Sequence, residues 1–274
     1  MIVITRTPVR VSFLGGGTDY AEFFTRHGGG EVLVTAIDKY SYLKVSRMED
    51  FFDYRVRVSY SRTELAGSVG EIQHPSVRAC LQFMKTGLPI EITYTGDLPA
   101  RTGLGSSSSF TVGLLNALHA YGGRVTSAEQ LANEALHVEH DLIKERVGYQ
   151  DQCIAAYGGF RHIKFYAPDR IEVTPVPLTR ARLDELKGSV LVFYTGLTRL
   201  AHQVLKVQIK KTESDENTPA LLEMRSLVGK GVEALTGGKP FDEFGALLHR
   251  SWEIKQSLSS AITTPEIVGA YDKA

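Results

Sequence analysis

The chain has 274 residues, 43% of them apolar, with 31 basic side chains against 31 acidic ones. That length suffices for one large or two modest domains with a real core, and the cancelled charge argues against a general affinity for nucleic acid or anionic membrane. Two cysteines, Cys80 and Cys153, are too few for a disulfide framework and point to a reducing compartment. The start, Met-Ile-Val-Ile-Thr-Arg-Thr-Pro, lacks the regions of a signal peptide, and no apolar run reaches membrane-spanning length, so a cytoplasmic protein is expected.

In chain order, the first sixty residues read as β-rich. Short strands are predicted over 2–5, 9–14, 31–37, 40–46 and 54–60, where Val, Ile and Tyr concentrate. Gly15-Gly16-Gly17-Thr18-Asp19 breaks the second, and Thr18 or Asp19 is expected to cap a short helix over 20–26. A helix is predicted over 74–86 and a strand over 90–95. Helices then dominate from Ser106 to Ala156, with Ser127 as N-cap of 128–144, until Gly158-Gly159 ends the block. Strands over 159–166 and 171–176 flank Ala167-Pro168-Asp169. Beyond Val176 come a buried-looking strand over 189–194 and helices near 200–211, 219–235 and 242–258, with a last one opening at Pro265. Strand runs followed by helix runs indicate the α+β class, and the change of character near Val176 divides the chain into 1–175 and 176–274.

The most informative segment is Gly96-Asp-Leu-Pro-Ala-Arg-Thr-Gly-Leu-Gly-Ser-Ser-Ser-Ser109. A strand leads into it, and a helix with Val112, Leu115 and Leu118 on one face leads out. Gly103 and Gly105 let the backbone turn and approach a ligand. The serines then place amide donors at a helix start, where anions bind. Pro99, Gly103, Leu104, Gly105 and Ser106, Ser107, Ser108, Ser109 therefore read as a phosphate cradle. No lysine follows Gly105, so this is not the common P-loop, and it lacks the third glycine of the dinucleotide fingerprint.

These segments resemble the GHMP kinases, the superfamily of galactokinase, homoserine kinase, mevalonate kinase and phosphomevalonate kinase. The cradle, from Leu98, looks like the second family motif, and Thr7-Pro-Val-Arg-Val-Ser-Phe-Leu-Gly-Gly-Gly-Thr-Asp-Tyr20 looks like the first, in its sugar 1-kinase form. Val147-Gly-Tyr-Gln-Asp-Gln-Cys153 is similar to the segment carrying the catalytic aspartate of galactokinases, and Glu139 precedes Asp151 by twelve positions, the spacing of that branch's metal-binding glutamate. The Gly-Gly-Gly-Thr-Asp version and the segment Tyr194-Thr-Gly196 look most like the D-glycero-D-manno-heptose 7-phosphate kinases.

The resemblance implies a two-domain fold: an N-terminal domain like ribosomal protein S5 domain 2, with a left-handed βαβ crossover, and a ferredoxin-like C-terminal domain, the site lying between them. The third family motif is expected within roughly 60 further residues, so 176–274 reads as an incomplete second domain. ATP and Mg2+ are the implied cofactors. Asp151 is implied as the base and Arg10 as the residue that stabilises the transferred phosphoryl group or holds Asp151. Ser107 and Glu139 are implied as magnesium ligands, with Glu134 as the fallback, and Gly15, Gly16, Gly17, Thr18, Asp19 and Tyr194 as the sugar site. Galactokinases carry Glu-His where this chain has Gly16-Gly17, which widens the pocket for a bulkier sugar. A sugar phosphate needs a cationic partner, and Lys39, Arg101, Arg146 and Arg199 are all open. The expected partner is a small sugar or sugar phosphate, with no nucleic acid and no membrane; a homodimer is left open. Fucokinase-like, galactokinase-like and mevalonate-type kinases, and a non-catalytic regulator on the same fold, are the alternatives. His137-Val-Glu-His140 lacks zincin spacing and reads as helix surface, Cys153 as a small core residue and Trp252 as packing.

Overall fold

The structure, a computed structural model, describes residues 1–99, 102–193, 209–258 and 263–273. Contacts divide the chain into two compact units, Met1–Val11 with Ala36–Gly159 and Ser12–Thr35 with Phe160–Ala274. The division follows contacts, and strands β1 (Ile2–Leu14) and β2 (Gly30–Arg47) contribute to both units.

In the first unit the strand order is β4-β3-β5-β2, with β3 Val56–Ser59, β4 Thr63–Ala66 and β5 Ile90–Gly96. β2 and β5 run antiparallel from Ser41 opposite Gly96 to Arg47 opposite Ile90, while β3 and β5 are parallel. A parallel pair needs a crossover, and α2 (Pro75–Met84) lies in that connection. α3 (Ser106–Tyr121), α4 (Ala128–His137), a π turn over Val138–Leu142 and α5 (Gln150–Tyr157) follow. Leu43, Val45, Ile90 and Ile92 from the strands pack with Leu81, Leu114, Leu115 and Val138 in one core. Each large aliphatic side chain buried this way contributes about 1.5–3 kcal/mol.

In the second unit the other half of β2 pairs antiparallel with β6 (Phe160–Ala167), which pairs with β7 (Arg170–Pro175). The short α1 (Ala21–Phe24), α6 (Arg180–Ser189) and the helices Thr218–Thr236, Asp242–Leu258 and Pro265–Tyr271 also belong to it. Leu14, Phe23, Leu33, Leu221, Val228 and Leu258 form its core.

Several expected boundaries move, each for a physical reason. The strands expected over 2–5 and 9–14 are one strand running through Pro8. A proline is tolerated where its missing N–H is not needed by the ladder, and β1 pairs with β2. The strands expected over 31–37 and 40–46 are likewise one, because Asp38 and Lys39 sit at exposed positions where charge costs little. β4 is an addition; Thr63-Glu-Leu-Ala66 has little β signature and owes its state to pairing with β3. Helix α1 begins after Tyr20 with no side-chain cap, so neither Thr18 nor Asp19 caps it. Ser127 does cap α4, accepting from Gln130 N at 3.1 Å, but the helix expected to Lys144 gives way to the π turn after His137. The strand expected over 189–194 is absent from its described part. Ser189 ends α6, which Thr179 caps, and Leu191, Val192 and Phe193 are 79%, 70% and 71% exposed. An apolar run alone does not decide burial.

Candidate active site

The Gly103–Ser109 turn leaves β5 and enters α3. Gly105 is the N-cap, in the left-handed region at φ 74° and ψ 24°, and no side chain among the described residues caps the helix. The first helical bond there is Ser109 N to Gly105 O at 3.0 Å. The amides of Ser106, Ser107 and Ser108 precede it, which leaves a helix start able to receive an anion. A Cβ on Gly103 would meet none of the described residues within 4 Å, whereas one on Gly105 would lie 3.1 Å from Asp151 Oδ2.

The four serines divide. Ser107 is exposed and Ser106 half-buried. Ser108 is buried and donates to Glu139 Oε2 at 2.9 Å. Ser109 is fully buried and donates to Thr7 O at 3.0 Å. With its amide and hydroxyl both donating inside the fold, Ser109 shapes the turn from behind. Pro99 is exposed, and the Leu104 carbonyl accepts from Arg10 N at 3.0 Å.

Arg10 joins this turn to Asp151. Its Nε donates to Asp151 Oδ1 at 2.7 Å, its Nη2 to Oδ2 at 2.8 Å and its Nη1 to Gly103 O at 2.6 Å. A fork of this kind fixes a carboxylate's plane as well as its charge. Asp151 lies in the first turn of α5, where the helix dipole favours negative charge. Its side chain is 22% exposed.

Glu139 differs in every respect. It is 1% exposed and sits in the π turn, a distortion often found at functional sites. Burial pushes its carboxyl up to about 7, against the lowering pull of the Thr111, Gln152 and Ser108 side chains, of which Gln152 and Ser108 donate to Oε2 at 2.5 and 2.9 Å. Oε1 has no hydrogen-bond partner among the described residues. Glu134 is engaged through both oxygens, Oε2 with His119 Nε2 at 2.6 Å and Oε1 with Gln130 Nε2 at 2.8 Å, so it is a poor fallback for a metal. His137 pairs with Asp141 at 2.6 Å, and His140 stacks on Tyr149. Cys153 is buried, while Trp252 is half-buried against Tyr271.

The Gly15–Asp19 loop belongs to the second unit. Gly15 has φ +82°, and a Cβ there would lie 2.0 Å from Glu31 O. Thr18 is fully buried; its hydroxyl donates toward Gly15 O at 2.9 Å and Glu31 O at 2.8 Å and accepts from Glu31 N at 3.0 Å. The Thr18 hydroxyl thus latches the loop to β2. Asp19 is also fully buried, and its Oδ1 accepts from Gly17 N at 3.0 Å. Tyr194, Arg101 and Arg199 lie outside the described residues, whereas Lys39 and Arg146 are exposed. Sequence reasoning missed Gln152 as a holder of Glu139; its place beside Asp151 was the available signal.

Several known proteins are similar to this chain. Residues 75–159 match the family described as GHMP kinases N terminal domain. A D-glycero-alpha-D-manno-heptose 7-phosphate kinase of Campylobacter jejuni is 27% identical over 98% of this chain and 82% of its own length. The L-fucokinase/L-fucose-1-P guanylyltransferase of Bacteroides fragilis is 26% identical over 99% of this chain, which spans 32% of that longer protein. Among solved structures, a D-glycero-D-manno-heptose 1-phosphate kinase from Bacteroides thetaiotaomicron aligns with TM-score 0.76 at 22% identity, over 93% of this chain and 79% of that one. A Streptococcus pneumoniae phosphomevalonate kinase in complex with phosphomevalonate and AMPPNP aligns with TM-score 0.75 at 16% identity, over 96% and 82%. At such identities the structures establish the fold.

Proposed function

We propose that this chain, a sugar kinase of the GHMP type, transfers the γ-phosphoryl group of ATP to the anomeric hydroxyl of D-glycero-D-manno-heptose 7-phosphate, giving the 1,7-bisphosphate and ADP. The observation that carries the reading is the Arg10–Asp151 fork set against the uncapped glycine turn at the head of α3. Phosphoryl transfer asks a protein mainly to hold phosphates, balance charge and align the acceptor. The amides of Ser106, Ser107 and Ser108 are assigned to the ATP phosphates, with Gly103 and Gly105 keeping the approach clear. Asp151 takes the proton of the attacking hydroxyl as the new O–P bond forms and the bond to ADP breaks. Arg10 uses one lone-pair direction on each Asp151 oxygen, which leaves others for that proton. The Gly15–Asp19 loop is assigned to the sugar, with Asp19 as the hydroxyl-binding carboxylate.

Among the described residues no three His, Cys, Asp or Glu side chains gather as a metal cage. Magnesium does not need one, since it keeps several waters and takes one or two protein oxygens. The unpartnered Oε1 of Glu139 and the exposed Ser107 fit that demand. Bound there, magnesium would neutralise phosphate charge, while Ser108 and Gln152 hold the glutamate in place.

The heptose phosphate is favoured by the Campylobacter jejuni relative, which is matched over 98% of this chain and 82% of its own length, and by the absence of a side chain at Gly16. A fucokinase-type activity is the second reading, supported by the Bacteroides fragilis relative. A panel of heptose 7-phosphate, L-fucose, galactose and mevalonate, read by ADP release and by 31P NMR of the product, tests both. Turnover confined to mevalonate would overturn the sugar assignment.

A further inference from the structure

The end of α3 farthest from the phosphate cradle borders a cleft of about 290 Å³ in the first unit. Met84, Lys85 and Thr86 line it from the end of α2, and Leu118, Tyr121 and Arg124 from the end of α3 and the turn beyond. The 16 residues of α3, about 24 Å of helix, separate this cleft from the cradle at Ser106. Leu118 is part of the core, and Met84 and Tyr121 are half-buried against it. Lys85 and Arg124 are exposed, and neither the ammonium nor the guanidinium has a hydrogen-bond or ion-pair partner among the described residues. The Thr86 and Tyr121 hydroxyls have none there either. Arg124 Nε lies 3.8 Å from where a Cβ on Gly122 would stand, so its arm folds back over the end of α3 beside the cleft. Cations at helix C-termini commonly answer the dipole, but each helix end carries only about half a negative charge, so two full positive charges leave an excess. Lys85 also occupies the left-handed C-cap of α2 at φ 49°, a place glycine fills at lower cost. The turn itself therefore does not call for a lysine.

We propose that this cleft is a second ligand site, apart from the candidate active site, and that it takes a small phosphate monoester. Its volume lies just under the roughly 300–1,000 Å³ of sites for drug-sized ligands, which suits a small metabolite rather than a nucleotide. The lining supplies an ammonium, a guanidinium and two hydroxyls as donors. A phosphoryl group presents three strong acceptor oxygens to such a set, where a carboxylate presents two. Arginine meets two of those oxygens at once, and lysine adds a compact charge. The carbon body of the ester would lie on Met84, Leu118 and Tyr121, the apolar wall of the cleft. The site stands on residues that take no part in the phosphoryl-transfer reading, so it holds or fails separately from that reading.

Met84 makes the test local. The chain has 4 methionines, so the methyl-labelled protein gives one signal in the cleft, from Met84, and three elsewhere, from Met1, Met48 and Met224. Glycerol 3-phosphate is titrated as the probe, with glycerol, succinate and sodium chloride at equal ionic strength as comparisons. Glycerol 3-phosphate should move the Met84 signal saturably, glycerol and sodium chloride should not, and succinate should bind more weakly. Lys85→Gln and Arg124→Gln should each weaken the binding of glycerol 3-phosphate by about fivefold or more, as expected for a lost charge-assisted contact. The three remote signals report whether each variant is folded, and both substitutions are at exposed positions. Asp151→Asn should leave the Met84 titration unchanged, which keeps this result apart from the kinase reading. A Met84 signal that does not move, or moves equally with sodium chloride, overturns the site. Equal binding in wild type and both cation variants does the same, and succinate binding as tightly as glycerol 3-phosphate overturns the choice of a phosphate.

Discussion

Two glycine turns of similar composition do opposite work in this protein. The turn at Gly103–Gly105 is open: among the described residues nothing lies within 4 Å of Gly103 on its Cβ side and no side chain caps the helix behind it, and Arg10 and Asp151 stand beside it. The turn at Gly15–Thr18 is closed: Gly15 touches backbone, and Thr18 spends its hydroxyl on Gly15 and Glu31. In the first, glycine keeps space for something else to come near. In the second, it lets the chain come near itself. Substitutions on the open side should therefore cost turnover, and those on the closed side stability.

The largest effect is expected from Asp151→Asn. Loss of the proton acceptor should lower kcat by about 10²–10⁴-fold, while binding of a non-hydrolysable ATP analogue and the melting temperature change little. Unchanged turnover would remove Asp151 from the chemistry.

Gly15→Ala should fail by misfolding or melting early. It combines a forbidden contact with a left-handed φ and should cost roughly 4 kcal/mol or more. Gly103→Ala, at φ +77° but in open space, should cost only about 1–2 kcal/mol. Urea denaturation of the two variants measures the contrast directly. Similar losses would erase the distinction between the turns.

Glu139 gives the next effect, read through pH. Its carboxyl is raised from 4.5 to about 7 by burial. Between those values the folded protein holds a proton that the unfolded chain has released, so stability falls as pH rises through this window and levels off above it. The full change is of the order of 3 kcal/mol. In magnesium-free buffer, Glu139→Gln should flatten this slope in denaturant midpoints taken between about pH 4.5 and 7. A slope that persists in the variant would assign it to another group.

Thr18→Val, which keeps shape and removes the hydroxyl, should cost about 2 kcal/mol by leaving the Glu31 N–H unpaired. Such a variant should keep the KM for sugar within a few-fold at temperatures where it is folded, because the Thr18 hydroxyl is spent on Gly15 and Glu31. A selective rise in KM without loss of stability would return Thr18 to the sugar site.

Much of the open turn and its surroundings is legible in the residues themselves. The strand, Gly/Ser turn and helix over 90–121 follow from a change of hydrophobic period across glycines, and the chain folds so. Gly158 and Gly159 end the helical block at φ 62° and 72°. The strand expected over 189–194 does not form in its described part, since Leu191, Val192 and Phe193 are equally apolar whether buried or exposed. The loosening of the helix beyond His137 into a π turn is not legible in this way; the turn holds Glu139, whose partners Ser108 and Gln152 come from other helices.

By itself, the amino-acid order determined the local pieces: where glycine permits a turn, where a helix starts, and which residue types could hold phosphate. Those depend on backbone freedom and side-chain spacing, which neighbours in the chain settle. Tertiary structure decided which of four serines face inward and which of two candidate glutamates keeps an unused oxygen. Burial and partnership come from residues far away in the chain, and desolvation, which gives a carboxylate its pKa and a hydroxyl its need for a partner, arises only once the core has closed around them.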